Sequence, residues 1–353
     1  MDTSSEQLST TAGYVENQFS TYEYNDYYED DVCNKETVSR FGDIITSVFF
    51  TLVIVLSVLG NLLVLGILAK YENLKSVTNI FILNLALSDL IFTFGLPFWA
   101  SYHSEGWAFG ESVCKAVNFI FDVGFYSSTI FLTMMTIHRY LAVVHPLADL
   151  GSRKCCYGIT ASVVIWLLSC LAAVPGLLFH RVELNQNENV PYCEYDSPLW
   201  KLAEIYQKNI FFLVAFSIII FCYFQILKTL LRSRTHTRYR TVRLIFAIVV
   251  VFFVGWAPYN VIIFVRSLVY NQIHPFTDCE ISRGIDYGFY ICRMIAFSHC
   301  CLNPFFYAFV GVKFRNHLKK LLRKVWMCQA SEDLQLGNSR VMFHSHGEDA
   351  SIY

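Results

Sequence analysis

Long apolar segments alternate with short polar ones between residues 44 and 310 of the chain. A helix needs about 20 apolar residues to cross roughly 30 Å of hydrocarbon. Because a backbone in lipid must satisfy its own hydrogen bonds, we expect helices here rather than barrel strands. The pattern predicts an all-α membrane protein, a bundle of seven transmembrane helices. The predicted spans are Ile44–Ala69, Val77–Trp99, Val113–Ile137, Cys156–Phe179, Ile210–Leu227, Leu244–Val265 and Gly284–Val310.

The charges between the spans predict an orientation. Alternate connections are rich in Lys and Arg, as at Lys70, Lys75, Arg153 and Lys154, which places them in the cytoplasm by the positive-inside rule. The other connections are mainly acidic, so we expect them to face outward together with the N-terminus. The predicted organisation is an extracellular tail over 1–43, a transmembrane domain over 44–310, an amphipathic cytoplasmic helix over 311–328 and a disordered cytoplasmic tail over 329–353.

The composition is that of a membrane protein, since 55% of the 353 residues are hydrophobic, 16% are charged and the net charge is −1. The run TYEYNDYYEDD at residues 21–31 differs from the rest, because it mixes tyrosines with acids and contains no Lys or Arg. We expect it to be disordered until it meets a partner. No basic start followed by an apolar core marks a cleavable signal peptide, so the first span is expected to direct insertion.

Four of the twelve cysteines fall in segments predicted to be extracellular, where disulfides are stable. Four cysteines allow three pairings. The position of Cys114 at the top of the third span and of Cys193 in the long following loop favours one bridge between them. That choice leaves Cys33 with Cys279. A fifth cysteine, Cys328, follows the basic amphipathic stretch and is a candidate either for acylation or for an unmodified thiol.

Polar residues inside the spans predict a shared polar core, because each is costly in lipid unless it has a partner. Asp89, Ser128 and Asn303 together offer oxygen ligands for a small hard cation such as sodium. The alternative is a set of hydrogen bonds between helices without an ion. Pro258 and Pro304 interrupt the helical hydrogen bonds of their spans and predict kinks.

Landmarks on six of the seven spans resemble those of the rhodopsin-like G-protein-coupled receptors. They are GN at 60–61, LALSDL at 85–90, Cys114, HRYLAVVHP at 138–146, Trp166, WAP at 256–258 and NPFFY at 303–307. Within that class, the stretches TNIFILNLALSDL, LPFW and SHCCLNPFFYAFVGVKFR resemble the chemokine receptors, as does the Cys33/Cys279 pair. The stretches FLTMMTIHRYLAVVHP, NIFFL and ICRMIAFSHCC are most similar to the XC-type branch, which recognises lymphotactin.

The resemblance implies a two-part site for a basic chemokine. The acidic tail would attract the cationic ligand, and its tyrosines are in a setting typical of sulfation. The ligand's N-terminus would then enter the helical cavity. The alternatives are a tail that only aids solubility and cavity residues that only pack between helices. The expected ligand-binding residues are Tyr22, Tyr24, Tyr27, Tyr28, Glu29 and Asp30 in the tail, and Trp99, Phe121, Asp122, Tyr259, Asp286, Tyr290 and Arg293 in the bundle.

Arg293 departs from the family pattern, because many chemokine receptors carry a glutamate here and use it toward the ligand's amine. An arginine cannot accept that amine. Counting about 1.5 Å per residue puts Asp122 and Arg293 at a similar depth. We therefore expect an ion pair between these two side chains that the ligand rearranges.

The resemblance also implies a signalling switch that couples to an inhibitory G protein and, after phosphorylation of tail serines, to arrestin. His138 replaces the aspartate that precedes the arginine in most relatives, and a largely neutral histidine cannot supply a carboxylate. The change is compatible with raised basal activity or with poor coupling to the G protein. We favour a receptor that couples competently. The expected switch residues are His138, Arg139, Tyr140, Tyr223, Arg243, Trp256, Pro258, Asn303, Pro304 and Tyr307.

Two further departures concern helix shape. Ala215 stands where relatives usually place a bulge-forming proline, and Gly95 replaces the threonine of a kink motif before Pro97. Both departures bear on the shape of the helices that carry them.

Other function classes fit the sequence less well. A scavenging receptor without G-protein coupling is the near alternative. A transporter is disfavoured because no inverted hydropathy repeat is evident. We expect no enzyme activity, because the spans lack a serine/lysine pair, paired catalytic aspartates and an HExxH stretch, and we expect no nucleic-acid partner. The expected partners are therefore the chemokine, the G protein, arrestin and membrane lipid, with a sodium ion as the candidate modulator and no other cofactor.

Overall fold

The computed structural model describes residues 35–145, 154–184, 190–232, 236–310, 314–321 and 323. The chain divides after Lys35, and the helical bundle lies in the unit that begins at Glu36. The tail residues Tyr22, Tyr24, Tyr27, Tyr28, Glu29, Asp30 and Cys33, together with Cys328, lie outside the described residues.

Eight helices of the described chain build the bundle, and the last two together form its seventh span. The fold prediction of a seven-helix membrane bundle is confirmed, because α1 to α6 each contain a stretch long and apolar enough to cross a membrane. The helices are α1 (Glu36–Tyr71), α2 (Val77–Glu105), α3 (Glu111–Val144), α4 (Lys154–Phe179), α5 (Pro198–Arg232), α6 (His236–Tyr270), α7 (Cys279–Phe297) and α8 (His299–Val310).

Several helices extend beyond the predicted apolar runs. The largest difference is in α5, which begins at Pro198 rather than at Ile210. Its first turns carry charged residues, so hydropathy alone placed them in a loop. Beyond the bundle, residues 314–321 and 323 are also helical, inside the range predicted for the amphipathic helix.

The seventh span, for which the sequence analysis predicted a kink at Pro304, is interrupted earlier, at Ser298 between α7 and α8. Pro304 in α8 has no N–H to donate to the carbonyl of Cys300, one helical turn before it. Two side chains of α1 supply the missing donors, since Asn61 Nδ2 lies 2.8 Å and Ser57 Oγ 3.2 Å from that carbonyl oxygen. The proline therefore ties α8 to α1.

Small residues bring α2 and α3 close together. A Cβ atom built on Gly124 would lie 2.8 Å from the backbone nitrogen of Phe92, so only glycine allows this approach. Nearby, Ser127 Oγ donates to Ser88 Oγ at 2.8 Å. Close backbone approach with hydroxyl pairing is a common way to join helices in lipid.

A short β-hairpin follows α4 and was not predicted. Strand β1 (His180–Leu184) pairs antiparallel with β2 (Pro191–Tyr195), with Val182 opposite Cys193. The predicted disulfide between Cys114 and Cys193 is present and fastens β2 to the start of α3. We call this end of the bundle the hairpin end. Cys279 also takes part in a disulfide.

Candidate functional site

The polar core predicted from the sequence is assembled around Asp89, which is fully buried. Asn303 Nδ2 donates to one carboxylate oxygen of Asp89 at 2.7 Å, and Ser128 Oγ lies 3.4 Å from the other. His299 Nε2 is 3.8 Å from Asp89 Oδ1. Hydrogen bonds from α3 and α8 thus satisfy the carboxylate. This arrangement corresponds to the alternative in which helices are joined by hydrogen bonds without an ion. Its hard oxygen donors also suit a small cation, and sodium binding remains a prediction.

At the end of the bundle opposite the hairpin, the predicted switch residue Arg139 contacts α2. Arg139 Nη2 donates to Thr78 Oγ1 of α2 at 3.1 Å. A neutral hydroxyl restrains an arginine less strongly than a carboxylate would. The Tyr140 hydroxyl lies 3.1 Å from His145 Nε2, and the buried Tyr223 packs against Phe246 with ring centroids 5.1 Å apart. The side chains of Arg243 and Tyr307 lie outside the described part.

The cavity side of α3 corrects one prediction. The expected ion pair between Asp122 and Arg293 is wrong, because the Asp122 carboxylate pairs with Lys208 of α5, with Oδ1 and Nζ 2.9 Å apart. Lys208 also contacts Glu204, one turn earlier on the same helix. Gly176 of α4 makes room for Asp122, since a Cβ there would approach Asp122 Oδ2 to 3.2 Å. We call Asp122, Glu204 and Lys208 the α3–α5 charge triad.

Arg293 lies against α1 and the aromatic residues of α7 instead. Its Nη2 donates to Thr46 Oγ1 at 3.2 Å, and its guanidinium lies 5.2 Å from the ring centroids of Phe289 and of Tyr290. Asp286, another predicted ligand contact, pairs with Arg266 of α6 at 3.5 Å. The α6–α7 side of the bundle is therefore lined by two arginines.

Three of the predicted aromatic residues, Phe121, Trp256 and Tyr259, take part in one packed cluster. Phe121 lies 4.1 Å from Phe92 and 4.9 Å from Phe297 between ring centroids. Trp256 packs 4.5 Å from Phe125 and 5.6 Å from Tyr259. In this structure Phe121 and Trp256 therefore pack between helices.

Trp99 and Pro258 occupy less central positions. Trp99 contacts Tyr102 at the hairpin end, with ring centroids 5.7 Å apart. Pro258 lies within α6, which continues as a helix across it.

The sequence analysis missed Glu204, Lys208 and Arg266 as site residues. The signal for the first two was their spacing of four residues, which suits an ion pair on one helix face. It was overlooked because the fifth span was started too late. Arg266 was missed because the predicted sixth span ended one residue before it.

A transmembrane bundle with a disulfide-tethered hairpin and an arginine-centred polar end is the architecture of a seven-helix receptor. The family model described as the 7 transmembrane receptor (rhodopsin family) matches residues 60–307. The match covers well over half of the chain.

Curated relatives narrow the class. Chemokine XC receptor 1 of Homo sapiens is 47% identical over 317 residues, which cover 89% of this chain and 92% of the relative. The Mus musculus Chemokine XC receptor 1 is 46% identical, over 89% of this chain and 94% of the relative. C-C chemokine receptor type 4 of Homo sapiens is 38% identical, over 82% of this chain and 81% of the relative. The chain therefore belongs to the chemokine receptors of the rhodopsin family, a class of multi-pass plasma-membrane receptors that bind chemokines and signal through G proteins.

Proposed function

We propose that this chain is a receptor for a basic chemokine of the XC class, lymphotactin, and that it activates a heterotrimeric G protein of the inhibitory class. Calcium signalling and chemotaxis follow as the cellular outputs. The observation that carries the proposal is the 47% identity across 89% of the chain to a relative named for XC chemokines. C-C chemokine receptor type 4 of Homo sapiens, a relative named for C-C chemokines, is 38% identical.

In this proposal the hairpin end and the N-terminal tail are extracellular. The acidic tail captures the cationic chemokine and raises its rate of encounter, and sulfation of the tail tyrosines strengthens the attraction. The N-terminal segment of the chemokine then enters the bundle from the hairpin end. The arginine-rich stretch from Arg232 to Arg243, where α5 ends and α6 begins, faces the cytoplasm, where the G protein, arrestin and anionic lipid are found.

The arrangement works as a population switch. A ligand that binds one conformation of the bundle more tightly than another shifts the chain toward that conformation. The movable parts are the interruption between α7 and α8, the Pro258 position in α6 and the Arg139–Thr78 contact.

The test is a G-protein activation assay on cells that express the chain, with lymphotactin and a panel of other chemokines, together with ligand uptake. We expect activation by lymphotactin and not by the other chemokines. An Arg139→Ala variant serves as control and should bind the ligand at the cell surface without activating the G protein. Activation by a different chemokine alone would disprove the proposed ligand.

Scavenging is the second candidate function, and the observation that favours it is the contact of Arg139 with the neutral hydroxyl of Thr78. Neither His138 nor Thr78 supplies the carboxylate found in most relatives. Uptake of lymphotactin without G-protein activation in the same assay would establish this function and exclude the first.

A further inference from the structure

The helical segment 314–321, which we call the terminal helix, packs against the bundle beside the end of α1. Phe314, in its first turn, packs against the apolar core of the bundle. Three residues later, the imidazole of His317 stacks on the ring of Tyr71, the last residue of α1. The two ring centroids are 5.0 Å apart and the ring planes differ by 9°. One apolar contact and one aromatic contact therefore anchor this helix.

A carboxylate meets the same imidazole. His317 Nε2 lies 3.4 Å from Oε1 of Glu72, the residue that directly follows α1. The other carboxylate oxygen, Oε2, accepts a hydrogen bond from Asn79 Nδ2 of α2 at 3.4 Å. The side chains of His317 and Glu72 are 28% and 21% exposed, so they are partly shielded from water but can still exchange protons with it. Glu72 thus connects the terminal helix to both α1 and α2.

Two lysines also face this group of side chains. Lys70 of α1 and Lys320 of the terminal helix hold their ammonium groups 5.7 Å and 5.8 Å from the centroid of the Tyr71 ring. Both charges repel a protonated imidazole, whereas the Glu72 carboxylate attracts it. Glu72 decides the sign, because it contacts the imidazole itself. The lysines are exposed, so water and salt screen their charges.

Protonation of the imidazole changes the contact with Glu72 from a neutral hydrogen bond into an ion pair. Hydrogen bonds between charged groups are roughly twice as strong as those between neutral groups. Histidine is the side chain that ordinarily changes its charge between about pH 5 and pH 8. A proton on His317 adds this attraction only while the terminal helix is docked. Docking is therefore stronger at low pH and weakens as the pH rises through that range.

We propose that His317, Tyr71 and Glu72 form a proton-controlled latch that fastens the terminal helix to the end of α1. In the orientation of the proposed function, on which this point rests, that end faces the cytoplasm, and the latch responds to cytoplasmic pH. Acidification holds the terminal helix against the bundle, and a rise in pH leaves it held mainly by Phe314. Because the terminal helix follows α8 in the chain, the latch also restrains the end of the seventh span.

The test measures hydrogen exchange of the backbone amides of the terminal helix, in the full chain held in lipid nanodiscs, at about pH 6 and about pH 8. Glu72→Gln removes the charge of the acceptor and keeps an oxygen that can accept a hydrogen bond. His317→Phe keeps a ring to stack on Tyr71 and removes the group that titrates. His274→Gln, in the connection between α6 and α7, is the matched control, because it removes an exposed histidine outside the latch.

The protection of the terminal helix, corrected for the intrinsic rate of exchange at each pH, should increase from the higher to the lower pH in the unmodified chain and in His274→Gln. The expected increase is about two- to fivefold, the range for a partly exposed ion pair. Neither Glu72→Gln nor His317→Phe should show it. An increase that persists in either variant, or that is absent from the unmodified chain, would overturn the latch. The amides of α1 in the same samples report whether each variant is folded.

This measurement uses neither lymphotactin nor a G protein, and it does not depend on which side of the membrane the terminal helix faces. A chain that fails to respond to lymphotactin would disprove the proposed ligand and leave the latch standing. A terminal helix whose protection does not depend on pH would remove the latch and leave the proposed function intact.

Discussion

Arg139 illustrates how a single residue can set the basal state of the bundle. In the structure its guanidinium is held by a hydroxyl of α2, with Nη2 and Thr78 Oγ1 3.1 Å apart. Hydrogen bonds to a charged group contribute about 1.5–3 kcal/mol, less than a bidentate carboxylate pair supplies. The restraint on Arg139 is therefore present but weak.

Replacing Thr78 by valine should raise ligand-free G-protein activation, because the isosteric side chain removes the hydroxyl and frees Arg139. A change of about 1.4 kcal/mol corresponds to roughly a tenfold shift in the population ratio, so we expect an increase of several-fold up to that limit. The measurement is basal nucleotide exchange at equal surface expression.

Thr133→Val is the control for this change, since Thr133 Oγ1 donates within its own helix, to the Thr129 carbonyl at 2.8 Å. His138→Asp should act in the opposite direction and lower basal exchange by supplying a carboxylate beside Arg139. Unchanged basal exchange in both Thr78→Val and His138→Asp would refute the weak-restraint account.

At the scale of elements, hydropathy predicted which segments cross the membrane but not how their ends are built. The seven apolar runs all correspond to helices. The charged first turns of α5 and the hairpin carry no long apolar run, so the sequence pattern did not reveal them. The side-chain hydrogen bonds that α1 donates to the Cys300 carbonyl in the seventh span are tertiary contacts that local sequence does not encode.

The site was predicted unevenly for the same reason. Asp89, Ser128 and Asn303 were grouped correctly, because buried polar residues in lipid must find each other. The partner of Asp122 was predicted wrongly. Counting residues along a helix gives the depth of a side chain in the bundle, but it does not give the direction in which that side chain points. Lys208 and Arg293 lie at the same end of the bundle, and only the packed structure shows that Lys208 faces Asp122.

The α2–α3 contact gives a prediction at this scale. Gly124→Ala should destabilise the protein by about 1–3 kcal/mol, because the new methyl group would collide with the Phe92 backbone and force the two helices apart. Thermal unfolding of the purified protein in detergent measures the change.

Gly66→Ala is the matched control, since a Cβ at that glycine of α1 meets nothing within 4 Å. It should be neutral or slightly stabilising, because alanine favours a helix by about 1 kcal/mol over glycine. Equal behaviour of the two variants would contradict close packing at Gly124.

At the scale of the whole molecule, the two ends of the bundle carry different groups of charged residues. The hairpin end carries the α3–α5 charge triad, the two arginines of the α6–α7 side and the disulfide-tethered hairpin. The other end carries Arg139. The polar core around Asp89 lies on the helices that connect them, and it links α2, α3 and α8 through side-chain contacts. A ligand and a G protein that bind opposite ends of such a bundle must influence each other's affinity.

That reciprocity provides the most direct measurement of the central claim. The affinity of labelled lymphotactin is measured on the purified chain in lipid nanodiscs, with and without a nucleotide-free inhibitory G protein. The account predicts tighter binding in the presence of the G protein, by roughly 5- to 150-fold. Equal affinity in the two conditions would contradict a ligand-gated switch.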